Sequence, residues 1–597
     1  MSEFWLHPAL ILGLGGLLLP LVPARLQRAY LLLVPLLTFG RALSLAQGTF
    51  GMVDFLGWTL VFGRVDTLSA LFGYIMSLMA VIGTLYGAHV REKAQHLASW
   101  LYVAGALGVI YAGDFLTLFV FWELMAFSSV FLIWFRRRPQ SLAAGFRYLL
   151  VHVVGGLALL AGIILHGGAN GGGLAFDAFD VASMTPAAWL VLTGFLLNAA
   201  VPPLHAWLPD AYGEGTFNGS VFLCAFTTKT AVYALVRGFP GLDLLVPLGV
   251  VMSLYGVVYA VLENDARRLL AYHIISQVGY MVAGVGIGTE MALNGACAHA
   301  FAHILYKALL FMGAGAVLHM TGQSKFTALG GLYRKMPLTF WLTLVGGLSI
   351  SAFPLTSGFV SKSMVVAGAF ESHLLWAGFL LNLASVGTFL HTGLKVPYFI
   401  WFGERHASDE TWNRAADPPW NMRVAMMVAA ALCFFIGCYT PYLYNMLPFP
   451  VTYHPYSAYH LSETLQLLLA TGLGFALLIE KLKPEAKIAL DLDWVYRKAA
   501  PVFARLARGP IQGLDTWVGE LYRNSGLAGL VTSARHIGRF DHRVIDGAVD
   551  GLAAAVRACG GRLRALQRGQ VQESLLLAFA LAVAVALGFL LLRGVLR

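Results

Sequence analysis

Long apolar stretches follow one another along almost the whole chain, and they constrain its fold more than any other feature. A helix needs about 20 mainly apolar residues to cross about 30 Å of lipid hydrocarbon. A water-soluble fold is excluded, because only 12% of the residues are charged, far below the usual share for a globular surface. The stretches that we predict as membrane-spanning helices, numbered spans 1 to 16, are residues 8–24, 29–47, 66–88, 97–113, 114–135, 142–166, 186–208, 219–237, 243–262, 268–288, 291–319, 337–369, 376–402, 422–441, 461–481 and 572–596.

Basic residues are concentrated in the loops on one side of these spans. The loops after spans 1, 3, 5, 9, 11 and 13 contain fifteen Lys and Arg residues, whereas the even-numbered loops contain two, Arg64 and Arg237. Cytoplasmic loops of membrane proteins are enriched in Lys and Arg. We therefore expect both termini on the non-cytoplasmic side, and the net charge of +10 indicates membrane topology, with no nucleic acid as partner.

Residues 483–570 differ from the rest of the chain in having a soluble-like composition. Apolar residues recur there at spacings near three to five, with Arg and Asp between them, which is typical of an amphipathic helix on a surface. One interpretation is a linker on the membrane surface. The other is a lateral helix that lies along neighbouring subunits, with span 16 anchoring its far end.

Few charged residues remain inside the predicted spans once loops and span ends are set aside. A charge at bilayer depth costs about 2.5 to 3.5 kcal/mol, so such residues are functional candidates by default. Arg41 and Arg147 lie within about two turns of span ends, where long basic side chains reach the interface. Five further charged residues inside the predicted spans are the functional candidates: Glu123, Lys229, Lys307, Lys362 and Lys395.

Span 11 places three titratable side chains along one helix face, because His299, His303 and Lys307 are spaced four residues apart. Such a row suits proton transfer, in which each step covers one hydrogen bond or one bridging water. Core histidines with satisfied hydrogen bonds are the alternative interpretation. A zinc site of the metalloprotease type is not expected, because Ala300 and not Glu follows His299, and we predict no metal.

Two spans contain proline at mid-membrane depth, in NAAVPPLHAWLP of span 7 and SISAFPLTSGFVSK of span 12. Proline interrupts a helix, and irregular backbone at this depth is tolerated only inside protein or beside a water-filled cavity. Paired broken helices are typical of inverted-repeat transporters, with the ion path at the breaks; kinked structural helices are the alternative. The residues predicted at the breaks are Pro202, Pro203, His205 and Pro354.

Six motifs occur in this order: FWELM, PLHAWLPDAY, TTKTAVYAL, DARRLLAYHIISQVGY, AHILYKALLF and SAFPLTSGFVSK. Together they resemble, over residues 66–402, the antiporter-like membrane subunits of respiratory complex I and of Mrp-type cation/proton antiporters. The C-terminal segment resembles that of the distal complex I subunit, whose lateral helix lies along its neighbours. The resemblance implies an all-α polytopic membrane protein of about 16 transmembrane helices with two inverted five-helix repeats. The expected domains are 1–96 (N-terminal spans), 97–237 (first repeat), 243–402 (second repeat), 422–481 (extra spans), 483–570 (amphipathic lateral segment) and 572–596 (terminal anchor).

The resemblance also implies a role for each intramembrane charge. Glu123 matches the acid of span 5 that pairs with a lysine, and Lys229 matches a linking lysine of span 8. Lys362 matches the terminal basic residue of broken span 12, and Lys395 stands where relatives often have a basic residue. The central relay is matched by His299, His303 and Lys307.

One position departs from the family pattern. The lysine that pairs with the acid of span 5 is replaced by Asn198, and an asparagine side chain cannot be protonated. Glu123 therefore lacks its expected partner, and either relies on His152 or Lys229 or remains unpaired. We expect the second repeat to keep the complete set of motifs.

The resemblance leaves three functions open. The first is a proton-translocating subunit of a complex I-like or membrane-hydrogenase-like redox pump in the bacterial inner membrane. The second is an Mrp-type cation/proton antiporter subunit, and the third is the proton-conducting partner of a cytoplasmic enzyme module for inorganic-carbon uptake. All three imply other membrane subunits as partners. No cofactor is expected in this chain, because it contains no quinone, flavin, haem or iron-sulfur signature.

Overall fold

The structure is a computed structural model that describes residues 5–487, 490–565 and 569–595. It divides into two compact units, Met1–Trp494 and Val495–Arg597. Helices make up most of the described residues, and a single two-stranded sheet accompanies them in these ranges. The predicted all-α membrane fold is confirmed, with this small sheet as an addition.

Helices of the first unit follow the predicted spans closely. Among the described residues, eleven helices are long and apolar enough to cross a membrane, and all coincide with predicted spans. Beyond α16 the chain continues in π-helical turns, Phe389–Lys395 and Tyr398–Phe402. The helices are α1 (Pro8–Leu18), α2 (Gln27–Leu43), α3 (Thr67–Gly87), α4 (Lys93–Tyr111), α5 (Phe115–Trp134), α6 (Pro139–Ala169), α7 (Pro186–Asn198), α8 (Trp207–Tyr212), α9 (Gly219–Leu223), α10 (Thr227–Gly238), α11 (Leu245–Leu262), α12 (Ala266–Ile287), α13 (Glu290–Thr321), α14 (Pro337–Ile350), α15 (Ser357–Glu371), α16 (Leu375–Thr388), α17 (Asp409–Arg414), α18 (Trp420–Cys438), α19 (Thr440–Tyr444) and α20 (Ala458–Leu478).

The sheet is a β-hairpin that the sequence analysis did not predict. Strands β1 (Gly48–Phe55) and β2 (Trp58–Val65) pair antiparallel around a two-residue turn. Gly57 in this turn has a φ of 84°, as tight hairpin turns require. The backbone amide of Val61 donates to the Asp114 carboxylate at 2.6 Å, so the hairpin is fixed to the start of α5.

Helix ends in this unit are set by aspartate and glycine. The carboxylates of Asp66, Asp114 and Asp265 accept backbone N–H groups at the starts of α3, α5 and α12. These bonds satisfy amides that have no partner within the helix. Helices α12 and α13 end at Gly288 (φ 73°) and Gly322 (φ 76°), in the left-handed conformation that glycine adopts without strain. Acidic residues are therefore used at helix boundaries, away from the apolar middle.

Three membrane helices are interrupted. Residues 199–206 separate α7 from α8, and residues 351–356 separate α14 from α15. Residues 224–226 separate α9 from α10, a break that the sequence analysis did not predict. The proline and histidine residues expected at breaks all lie within the first two interruptions: Pro202, Pro203, His205 and Pro354.

Helix α13 forms the centre of the first unit. It is buried along most of its length and packs against α12, α14, α15 and α18. A helix that is apolar on all sides is expected in such a position. Its polar residues therefore face protein and not lipid.

The second unit continues in helical segments, as the amphipathic pattern predicts. Most of its described side chains are exposed, including those of Trp517 and Leu552. An uncovered apolar stripe on a helix favours contact with a further surface. The boundary between the two units falls within α21 (Asp493–Leu506), most of which belongs to the second unit. The other helices of this unit are α22 (Gln512–Leu521), α23 (Ala528–Phe540), α24 (Gly547–Ala565) and α25 (Val571–Val595).

Candidate functional site

Lys229 lies at the break between α9 and α10. Its ammonium group donates to the Cys224 carbonyl oxygen at 2.7 Å and to Thr228 Oγ1 at 3.0 Å. The side chain is completely buried. The interruption thus supplies a backbone carbonyl to a charged group whose other hydrogen-bond partner is a hydroxyl group.

Lys362 and Lys395 use carbonyl groups in the same way. The ammonium group of Lys362 donates to Ile350 O, at the end of α14, at 2.9 Å and to Ser385 Oγ at 3.3 Å. That of Lys395 donates to the carbonyl oxygens of Val261 and Glu263, at the end of α11, at 2.6 and 2.9 Å. The carbonyl end of a helix carries partial negative charge and stabilises a cation. Each lysine is therefore held by dipoles and not by a carboxylate.

The row on α13 lies in the protein interior, with His299, His303 and Lys307 fully buried. The rings of His299 and His303 have centroids 6.2 Å apart. His299 Nδ1 is 3.2 Å from Ser361 Oγ, which connects the row to α15. Both ring nitrogens of His303 lack a hydrogen-bond partner within the described part of the chain.

His273 on α12 joins this row and was missed by the sequence analysis. The ammonium group of Lys307 lies 3.3 Å from His273 Nδ1. The His273 ring also lies 3.1 Å from the hydroxyl of Thr392 and 4.6 Å, between ring centroids, from His391. Unlike His299 and His303, His273 has no titratable residue one turn away on its helix that would make it stand out. The signal was present, because His273 stands in span 10 inside the motif DARRLLAYHIISQVGY.

Glu123 on α5 is half-buried and stands apart from the lysines. Its Oε1 atom has no hydrogen-bond partner among the residues that the structure describes. A Cβ atom placed on Gly156 of α6 would overlap this carboxylate, so the glycine makes room for the acid. His152 bonds instead to Tyr148 O at 2.9 Å, and Lys229 bonds to the break in span 8. Neither of the suggested alternative partners is therefore hydrogen bonded to Glu123.

Asn198 occupies the last turn of α7 and is completely buried. Both its amide nitrogen and its amide oxygen lack partners within the described ranges. Unpaired buried polar atoms are costly, and in a native structure they often mark a site for water or ligand. Both amide atoms of Asn198 are therefore able to form hydrogen bonds with water or another polar group.

The break in span 7 contacts an acid that the sequence analysis did not single out. His205 Nε2 lies 3.2 Å from Asp491 Oδ1, and both side chains are buried. Tyr272 donates to Asp491 Oδ2 at 2.7 Å, and the hydroxyl of Tyr255 donates to Oδ1. The loop after α20 is thereby fixed against the break between α7 and α8 and against α11 and α12.

Metal binding receives no support from the described residues, where no group of three His, Cys, Asp or Glu side chains is arranged to hold an ion. The site therefore consists of lysine, histidine and glutamate side chains without a carboxylate cluster. Such groups can bind and release protons, and neighbouring groups can pass them on.

Comparison with known proteins places this arrangement in a family. Residues 112–390 match the family model described as NADH:quinone oxidoreductase/Mrp antiporter, TM. Over 398 residues the chain is 29% identical to a Na(+)/H(+) antiporter subunit of Alkalihalophilus pseudofirmus, covering 62% of this chain and 80% of that protein. Over 344 residues it is 32% identical to NADH-quinone oxidoreductase subunit N of Desulforudis audaxviator, covering 53% of this chain and 68% of that protein.

A solved structure extends the likeness of the fold to almost the whole chain. A chain of the membrane-bound sulfane sulfur reductase, an archaeal respiratory membrane complex, superposes with a TM-score of 0.68 at 22% identity. The superposition covers 97% of this chain and 99% of that one. The resemblance drawn from the six motifs is confirmed. The chain belongs to the family of membrane subunits shared by NADH:quinone oxidoreductases and Mrp antiporters.

Proposed function

We propose that the chain is a proton-translocating subunit of a multisubunit membrane complex, of the kind driven by a redox reaction in partner chains. The observation that carries the proposal is the set of buried basic side chains at the centre of the protein. Lys307 lies within hydrogen-bond distance of His273, and the rings of His299 and His303 on the same helix have centroids 6.2 Å apart. These side chains form the central part of a path across the membrane interior.

The lysines are suited to reversible protonation because carbonyl groups hold them. An ammonium group on a carbonyl dipole is stabilised without being neutralised. Release of its proton then breaks no ion pair and leaves no buried carboxylate behind, which would be costly. Lys229 and Lys362 have this environment at the breaks of spans 8 and 12.

The histidines are suited to carry protons between the lysines. A neutral imidazole has one donor and one acceptor nitrogen, so it can accept a proton on one side and release one on the other. His303 has both ring nitrogens unpartnered in the described structure. We assign to His299 and His303 the transfer from Lys307 towards Lys362, through water where the rings do not touch.

The first repeat works with a reduced set of groups in this proposal. Glu123 is its proton-binding acid, with its carboxylate against Gly156. Asn198 provides a polar position for water where relatives have a lysine. The second repeat contains the complete path, which ends at Lys362. Lys395, whose ammonium group lies at the end of α11, influences the electrostatic potential along that path through its own charge.

A redox-driven complex is favoured because the fold likeness to a chain of the reductase complex includes the C-terminal segment. In our proposal, residues 483–570 lie as a lateral helix along neighbouring subunits, and residues 572–596 anchor them. The apolar side chains that remain exposed in this segment support such contacts. The distribution of basic loops supports a bacterial inner-membrane protein with both termini on the non-cytoplasmic side.

The experiment is purification of the native complex and its reconstitution into proteoliposomes with a pH-sensitive dye. We expect iron-sulfur or quinone-site subunits to co-purify. Acidification driven by the redox substrate should persist when Na⁺ is replaced by choline and should collapse with a protonophore. A complex without redox subunits, or one that moves no protons, would contradict the proposal.

An Mrp-type antiporter subunit is the second candidate, supported by the likeness to the Alkalihalophilus pseudofirmus antiporter protein over 62% of this chain. It predicts small membrane subunits as partners and no redox subunits. Proteoliposomes with an imposed pH gradient distinguish the antiporter subunit from the redox-pump subunit. Proton efflux that requires added Na⁺ favours the antiporter, whereas efflux that is indifferent to Na⁺ favours the redox pump.

A further inference from the structure

Two adjoining cavities lie between α15, α16 and α20, next to the end of the proposed path. The smaller has a volume of about 50 Å³ and is lined by Lys362, Ser385, Asn382, His460 and Glu463. A water molecule needs a cavity of about 10–15 Å³, so the smaller cavity has room for more than one. Its wall is largely apolar but includes these five polar side chains, which can bond to water.

The larger cavity has a volume of about 400 Å³ and shares Asn382, His460 and Glu463 with the smaller one. Its other wall includes Glu371, at the end of α15, and His454, in the loop before α20. The distribution of basic residues places that loop on the non-cytoplasmic side. The two cavities therefore extend from Lys362 towards that surface.

Polar side chains of α16 and α20 connect the two cavities. Ser385 Oγ accepts from the Lys362 ammonium at 3.3 Å. Asn382 Nδ2 donates to Glu463 Oε1 at 3.4 Å, and His460 Nδ1 lies 3.9 Å from Glu463 Oε2. A carboxylate and an imidazole thus stand where a proton leaving Lys362 would pass.

We propose that Glu463 and His460 form a proton-release vestibule, in which water carries the proton of Lys362 to the Glu463 carboxylate and then to the non-cytoplasmic surface. The inference rests on the proposed function and adds α20 to the transport path. The proton leaves the lysine nitrogen, forms an O–H bond at the carboxylate, and departs to water in the larger cavity. The lysine is left neutral, ready for the next proton from α13.

A metal cation is a poorer occupant of this vestibule than water. The Lys362 ammonium lines the same cavity and repels a cation, and Glu463 is the only carboxylate on the wall of the smaller cavity among the described residues. Hard cations are bound by several oxygen ligands.

The groups that face Glu463 are Lys362 and Ser385 across the smaller cavity, Asn382 and His460 beside it, and Glu371, Tyr453 and His454 across the larger one.

The first experiment tests access and requires no transport. Asn382→Cys, in a background with Cys438→Ser and Cys559→Ser, is treated in oriented membranes with a water-soluble thiol reagent that does not cross the bilayer. We expect labelling from the non-cytoplasmic side only, and none of the control Ser361→Cys, which lies beside His299. Absence of labelling at residue 382 in the assembled complex would overturn the vestibule.

The second experiment tests transfer in the reconstituted complex. Glu463→Gln should lower the proton translocation rate about 100-fold, the lower end of the range for loss of a positioned acid or base. Glu463→Asp should restore part of the rate, and the residual rate of the Gln variant should depend on pH at the non-cytoplasmic side. The matched control is Glu480→Gln, beyond the other end of α20, which should leave the rate unchanged.

The outcomes separate the vestibule from the proposed function. Loss of translocation in Lys307→Ala and Lys362→Ala together with a normal rate in Glu463→Gln would overturn the vestibule alone. Normal translocation in both lysine variants would overturn the proposed function, whatever Glu463→Gln does. A slowed Glu463→Gln variant with a rescued Asp variant and labelled residue 382 would support both.

Discussion

The ammonium group of Lys362 lies 2.9 Å from the carbonyl oxygen of Ile350, the last residue of α14. The interruption of span 12 therefore provides the partner for the charge that follows it. Lys229 repeats the relationship with Cys224 at the break of span 8. At both breaks the interrupted helix thus stabilises a buried lysine through a backbone carbonyl group.

Replacing Lys362 with methionine tests this relationship. Methionine has a similar length but no charge and no donor, so we expect the complex to assemble and proton translocation to fall to background. Lys325→Met, in an exposed loop, is the matched control and should translocate normally. Dye quenching in proteoliposomes measures both variants, and normal translocation by Lys362→Met would rule out a proton-carrying role for this lysine.

His273→Gln tests the residue that connects Lys307 with the second repeat's outer helices. Glutamine keeps hydrogen-bonding capacity but cannot be protonated, so translocation should fall about 100-fold or more, as for loss of a proton-transfer group. His373→Gln, an exposed histidine between α15 and α16, should have no effect. Equal rates for the two variants would remove His273 from the path.

Gly156→Ala tests whether the space beside Glu123 matters. The added Cβ would overlap the carboxylate, and the flexible Glu123 side chain would move before the helices do. We expect normal assembly with a lower translocation rate. Gly168→Ala on the same helix has open space around its Cβ and serves as the control. A wild-type rate for Gly156→Ala would show that the position of the acid is unimportant.

Asn198→Lys tests the departure from the family pattern. The site is buried and polar, with both amide atoms unpartnered in the described structure, and the family resemblance implies a lysine at this position. We expect the variant to assemble, whereas Leu197→Lys at the neighbouring apolar position should not. Size-exclusion chromatography in detergent measures this, and failure of Asn198→Lys to assemble would indicate that the first repeat has been rebuilt around asparagine.

Asp491 allows a prediction about pH. Burial alone would raise the pKa of this carboxyl, but hydrogen bonds from His205, Tyr255 and Tyr272 outweigh burial and hold the pKa at about 2. A carboxyl with a lowered pKa contributes stability that is complete above its unfolded value, about 3.8, and is lost as the pH falls towards 2. Thermal unfolding of the purified complex should therefore show no contribution from Asp491 titration between pH 5 and 7.

Asp491→Asn should lower the unfolding free energy by about 1–3 kcal/mol, because hydrogen bonds to a charged group are lost. Asp515→Asn, on the exposed helix α22, is the control and should change little. An unchanged melting temperature for Asp491→Asn would show that the loop after α20 is not held by this carboxylate.

The sequence predicted the positions of the helices well, because apolar runs and charge placement are local signals. It also predicted the breaks at Pro202 and Pro354, since proline marks them directly. The break before Lys229 was missed because residues 224–226 contain no proline or glycine. The β-hairpin was missed because it joins two apolar spans and its strands are short.

The site was predicted in part. Charged residues inside spans stand out, so Lys229, Lys307 and Lys362 could be named from the sequence alone. His273 could have been named from its place within span 10, but its contacts, like those of Asp491, depend on how distant helices pack. The cavity beside Lys362 is completed by α20, which is distant in the chain from α15 and α16, and no local pattern reveals it.

The most direct test of proton translocation through the central row is the intact complex with Lys307→Ala. This lysine lies on the buried central helix α13, 3.3 Å from His273 Nδ1. We predict that the complex assembles with all its partners, that the redox partners remain folded, and that substrate-driven acidification of proteoliposomes is lost. Acidification at the wild-type rate in that variant would contradict a proton path through Lys307.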